Sequence, residues 1–134
     1  MPYRIIAVLL ATSLFCALAN AHHSFAAHYL ADPSVSISGL VTEYRFRNPH
    51  GLIFLEVLNE DGVTESWRVE TNSPSVLRRR GWSPDSLHSG DAVTIVGYPA
   101  RDNTNFIRVY RVMFSDGREL TGQRPAVGIA EGED

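Results

Sequence analysis

The residues whose types and spacing offer chemistry are histidines in the first half of the chain: His22, His23, His28 and His50. If the chain is cut after Ala21, His22 becomes terminal, and its α-amine and imidazole can chelate one metal ion in a single ring. Copper(II) favours tetragonal nitrogen sets, and one further imidazole completes a T-shaped, histidine-brace arrangement. His50, His28 and His23 are the candidates for that nitrogen. A cut after Ala19 instead presents Asn20-Ala21-His22, whose free amine, two amides and third-position histidine also suit copper(II) or nickel(II). The plainer readings are that adjacent histidines in an arm are solvated polar residues, and that His50 hydrogen-bonds the backbone of its own Asn48-Pro49-His50-Gly51 turn.

Four other residues are candidate ligand contacts: Asn48 beside His50, Arg101 and Asp102 in a later polar loop, and Trp82. Arg101 and Asp102 can grip a polar ligand or form an exposed ion pair of little energetic consequence. Tyr44, Phe46, Trp82, Tyr98 and Tyr110 can stack against sugars or flat rings, although core packing is the commoner use of aromatics. Arg78-Arg79-Arg80 is not a basic face, because successive helical residues point about 100° apart. Glu43, Glu56 and Glu70 lie on separate strand-like segments with no paired-carboxylate spacing. There is no serine nucleophile motif, no phosphate-binding glycine loop and no Cys/His zinc pattern.

Whether His22 becomes a terminus depends on the first 21 residues. Arg4 precedes an apolar run from Ile5 to Leu18, too short to span as a membrane helix, and Ala19-Asn20-Ala21 offers small residues where a signal peptidase reads. Ala17-Leu18-Ala19 offers the same pattern two residues earlier. Residues 1–21 are therefore expected to be a cleaved signal peptide and the remainder to be periplasmic or secreted. Cys16 is the only cysteine; it follows the large Phe15, against a lipoprotein site, and its removal leaves no thiol for disulfides or catalysis.

The remaining 113 residues suit one domain with one core. Losing Arg4 leaves eleven basic residues, all arginine, against fifteen acidic ones, a net charge of about −4. Nucleic acid is therefore an unsuitable partner. With no second long apolar segment, no membrane span is expected after the leader is removed.

The elements that must position these groups read as short strands. After an arm over 22–34, Val35, Ile37, Gly39 and Val41 alternate with polar neighbours in a strand reaching about Arg47, with Gly39 as a bend or bulge. Leu52 to Leu58 and Val63 to Glu70 flank the turn Asn59-Glu60-Asp61-Gly62 and should pair antiparallel. Ser73-Pro74 opens a short helix of about two turns closed by Gly81. Ala92 to Tyr98 and Phe106 to Phe114 are the fourth and fifth strands. Residues 121–134, rich in Gly, Pro, Ala and acids, read as a disordered tail. The order β-β-β-α-β-β predicts an all-β domain over 35–120, a small five-stranded Greek-key barrel of the oligonucleotide/oligosaccharide-binding (OB) type, with an open β-sandwich fragment as the alternative. On an OB barrel, the loops carrying His50 and Arg101 flank one cleft. The arm, at roughly 3.3 Å per extended residue, is long enough to reach it.

The motifs His22-His23-Ser24-Phe25-Ala26-Ala27, Asn48-Pro49-His50, Trp67-Arg68-Val69-Glu70, Arg80-Gly81-Trp82 and Gly90-Asp91-Ala92-Val93-Thr94-Ile95-Val96-Gly97 together resemble a family of uncharacterised exported proteobacterial proteins, catalogued as a domain of unknown function. The resemblance spans nearly all of the mature chain. It implies a periplasmic location and a small β-barrel-like domain, and carries no ligand or catalytic residue. Members often have an acid at the position of His28. Three functions are compatible with these readings: a non-enzymatic binding module holding copper through the mature terminus, a small copper oxidoreductase on the same nitrogens, or a metal-free OB-type binder of an oligosaccharide, peptide or periplasmic protein.

Overall fold

A computed structural model describes residues 23–122, with only the backbone described for His23 and Ser24. The amino-terminal segment, including His22 and the expected leader, and the tail beyond Gly122 lie outside the described residues.

The longest strand, β1 (Val35–Arg45), carries the alternation that the sequence predicts, with Ile37 and Val41 buried and their neighbours turned outward. Its first half pairs antiparallel with β4 (Ala92–Pro99) and its second half with β2 (Leu52–Leu58). A strand shared between two partners in this way has to bend. The irregularity lies between Val41 and Glu43, not at Gly39. Gly39 has a different reason: a Cβ there would stand inside contact distance of the Glu56 carbonyl oxygen, so only a bare backbone lets β2 approach.

β2 turns into β3 (Thr64–Glu70) through Asn59, whose Oδ1 accepts the amides of Asp61 and Val63 at 3.1 and 2.9 Å. Gly62 in that turn has φ of 76°, the left-handed region that glycine enters without strain. β5 (Phe106–Phe114) pairs antiparallel with β4 and then parallel with β3, Arg68 to Glu70 lying against Phe106 to Arg108. That seam closes a five-stranded barrel of order β1-β2-β3-β5-β4, the OB topology. A sixth strand, β6 (Glu119–Thr121), pairs with Arg111 to Met113 of β5, and Gly122 after it is buried. Ordered structure thus runs past the expected domain end at residue 120.

Inside the barrel Ile53, Leu55, Val69, Ile95, Ile107, Val109 and Val112 are fully buried, each stabilising the fold by about 1.5–3 kcal/mol relative to exposure. Among the described residues two helices accompany the barrel, α1 (His23–His28) in the arm and α2 (Pro74–Arg78) between β3 and β4. α2 is shorter than the two turns expected. Its Leu77, fully buried, joins Trp82 and Leu87 in the core cluster, so the connection between β3 and β4 closes onto the barrel interior. Among the described residues no helix is long and apolar enough to cross a membrane.

Candidate functional site

The barrel interior is filled, so binding chemistry falls to its outer wall. At the parallel seam, strand alternation sends Val69 and Ile107 inward and Arg68, Glu70, Phe106 and Arg108 outward. A register shift between Val96 and Gly97 brings Tyr98 opposite Arg108, on the same wall.

The arm docks there. Phe25 meets the Tyr98 ring edge-on at 5.2 Å, and Tyr29, only 4 % exposed, packs on Phe25 and Phe106 at 5.4 and 5.9 Å. Backbone bonds fix the register: Leu30 N–H donates to the Pro99 carbonyl at 3.0 Å, and Arg101 N–H to the His28 carbonyl at 2.9 Å. The Arg101 side chain adds a clamp, its Nε donating to the Ala26 carbonyl at 2.6 Å. Arginine suits the negative, carbonyl-rich end of a helix.

Glu70 is the hub of this wall. Its Oε2 accepts the Tyr29 hydroxyl and, at 3.2 Å, Arg108 Nη1, while its Oε1 accepts Nδ1–H of His50 from the β1–β2 loop. Burial pushes the Glu70 carboxyl up, but the bond from Tyr29, the charge of Arg108 and the bond from His50 outweigh it and hold the group below the ordinary carboxylate value. The same environment acts oppositely on Tyr29: burial first, then the Glu70 carboxylate, drive its hydroxyl well above the usual tyrosine value, so it remains a donor. With Nδ1 committed to Glu70, the Nε2 of a neutral His50 is left as a lone-pair nitrogen. The side chain is 47 % exposed and borders an open cleft of about 390 Å³. A carboxylate fixing the far nitrogen is how metal-ligating histidines are commonly oriented.

Glu70 and Phe106 also line a second cleft of about 490 Å³, beneath α1 and the β4–β5 loop. The two loops that the OB expectation singled out therefore each line a cleft that Glu70 also borders. Asn48 and His50 line the first cleft; His28, Arg101 and Asp102 line the second. Arg101 and Asp102 make no ion pair with each other: Arg101 holds α1, and Asp102 Oδ1 accepts Thr104 Oγ1–H at 2.7 Å and Thr104 N–H at 3.2 Å. Trp82 belongs to neither cleft. It is 2 % exposed, its Nε1 donating to the Thr121 carbonyl at 3.0 Å, so it is a core residue and not a ligand contact. Tyr44 and Phe46 cluster with it, whereas Tyr98 and Tyr110 pack on each other beneath the arm.

His22 lies outside the described residues, as does the His23 side chain. Among the described residues no group of three or more His, Cys, Asp or Glu side chains is placed to hold a metal ion. Sequence reasoning missed Tyr29, Arg108 and Arg68 and set Glu70 aside for lack of a nearby acid. The available signal was the Trp67-Arg68-Val69-Glu70 motif itself, a charged pair on the outward face of a strand whose partner strand also carries Arg108.

The profile of a family of unknown function, DUF6152, matches residues 10–107. The chain belongs to that family. The DUF6152 match takes in α1, the His50 loop, β3 with Glu70 and the β4–β5 loop, that is, every residue lining the two clefts, and stops just before Arg108. No curated protein and no solved structure matches the chain.

Proposed function

We propose that the chain is an exported binding module that holds copper(II) at its mature terminus, the His22 amine and imidazole supplying two nitrogens and His50 Nε2 the third. The observation that carries this reading is the double use of Glu70, which ties both the arm, through Tyr29, and the His50 ring, through Nδ1, to one patch of the barrel wall. His22 is bonded to the first residue of α1. α1 in turn leads into Tyr29, which is docked beside that patch. The hydrogen bond to Glu70 supports a ligand role for His50 because it selects the tautomer with a free Nε2 and holds the ring orientation. Copper fits the donor set: three imidazole or amine nitrogens and no thiolate.

The test uses the chain processed to begin at His22, a version retaining Ala21, and His50→Ala. Each is titrated with copper(II) and followed by electron paramagnetic resonance. The proposal expects the authentic terminus to bind most tightly and both changes to weaken binding and alter the nitrogen hyperfine pattern. Equal affinities with identical spectra across the three proteins overturn it.

A further inference from the structure

The cleft beneath α1 has a chemistry of its own that the copper reading does not use. Its carboxylates already hold donors: Glu70 from Tyr29, His50 and Arg108, and Asp102 Oδ1 from Thr104. Its cations are less engaged. The Arg68 guanidinium stacks over the Phe106 ring, 4.9 Å from its centroid, and has no hydrogen-bond acceptor or ion-pair partner among the described residues. Arg101 uses its Nε on Ala26, leaving its terminal nitrogens without a partner among those residues. Arg68 and Arg101 thus line the cleft with Glu70 and Asp102, and Arg108 pairs with Glu70 beside it, three cations to two carboxylates on a chain whose formal charge is −3.

We propose that this cleft binds a small organic carboxylate. The Arg68 fork would take the carboxylate edge-on in a bidentate pair, the geometry in which arginine differs from lysine. Phe106 beneath the guanidinium fixes the plane of the fork and offers, with Tyr29, an apolar wall for the body of the acid. Thr104 and His28, which also line the cleft, supply polar contacts. The volume of about 490 Å³ lies in the range of small-molecule sites. The side chains that define the pocket come from three elements, the arm, β3 and the β4–β5 loop with the start of β5. The site therefore exists only when the arm is docked.

The experiment is carried out in chelator, so that copper plays no part and its failure is separate from failure of the metal reading. Benzoate, hexanoate and succinate are titrated against the mature chain by ¹H–¹⁵N correlation NMR, with benzamide and inorganic sulfate as controls. At least one carboxylate is expected to shift amides of residues 100–106 and 28–30 saturably, with benzamide and sulfate giving no comparable effect. Arg68→Gln should weaken that binding at least about tenfold, and Arg68→Lys should restore it only in part, because a point charge cannot reproduce the bidentate pair. Arg68 is exposed, so both variants are expected to keep the wild-type melting temperature, which is measured alongside. No saturable shift with any of the three acids, equal binding of sulfate, or an undiminished response in Arg68→Gln each overturns the proposal.

Discussion

Replacing Glu70 with glutamine keeps the shape of the hub and removes its charge, which separates what the carboxylate does for stability from what it does for His50. Two of its donors are well shielded, Tyr29 at 4 % residue exposure and Arg108 with a side chain 13 % exposed. A hydrogen bond to a charged acceptor contributes about 1.5–3 kcal/mol and one to a neutral acceptor about 1, so two such bonds lose about 2 kcal/mol together. Arg108, left without a counter-ion in a mostly buried position, brings the loss towards about 3 kcal/mol. For a domain of this size that is a fall in melting temperature of roughly 10–20 °C. The second consequence is local. The glutamine carbonyl is best turned towards Tyr29 and Arg108, which both donate to Oε2, so its amide group faces His50. Nδ1 must then accept, and the imidazole proton moves to Nε2. Long-range ¹H–¹⁵N spectra of the ring are expected to report the Nδ1–H tautomer in the parent and the Nε2–H tautomer in Glu70→Gln. The same variant should bind copper(II) about 10–100-fold more weakly, since the lone pair has left the ligating nitrogen. A melting temperature within about 3 °C of the parent, or an unchanged tautomer, would refute the assignment of Glu70 as the hub.

Two further predictions concern the same wall. Because the folded Glu70 carboxyl titrates below its ordinary value of 4.5, the unfolded chain takes up that proton first on acidification. Its contribution is complete above about pH 4.5 and is lost as pH falls through the folded value. Urea midpoints between pH 6 and 3 should therefore decline below about 4.5, and Glu70→Gln should flatten that decline; the acids Glu43, Glu65, Asp102 and Asp116, also shifted down, remain to give the residual slope. An unchanged slope in the variant would remove Glu70 as the principal acid-sensitive group. Arg101→Ala removes the clamp on α1 while touching nothing in the core, so global stability should change by less than about 1 kcal/mol. Amide exchange over residues 25–30 should rise selectively, and a uniform rise across the barrel would contradict the clamp.

How legible this structure is in its sequence follows from where the alternation survives. β1, β2 and β3 have one face in the barrel and one outside, so the period of two in Val35–Val41 and Val63–Glu70 reports real faces, and the β-β-β-α-β-β order then leads to the closed barrel. Bulges break that correspondence without leaving a mark. The shift between Val96 and Gly97 places an extra residue, Tyr110, in β5, so that Val109 and Val112 both face inward, and nothing in Val109-Tyr110-Arg111-Val112 announces it. β6 is three residues long, too short for any pattern. The arm reads as irregular because what holds α1 is not helical periodicity but two aromatic rings set against a surface made by distant strands.

The candidate site was legible only as loops. His50 and Arg101 could be placed beside an OB cleft from topology, yet the group that joins His50 to the arm is a single glutamate in mid-sequence, 20 residues from His50 and 41 from Tyr29. Sequence reasoning looks for acids in pairs because catalysis commonly uses two. A lone carboxylate that holds a tyrosine, a histidine and an arginine does different work: it orients its donors. Its effect passes through its donors, which are the arm on one side and the His50 ring on the other. That is why the two clefts, distinct in lining and in the ligands we assign to them, share one point of failure. Loss of Glu70 should disturb both, whereas loss of His50 or of Arg68 should disturb one and spare its neighbour.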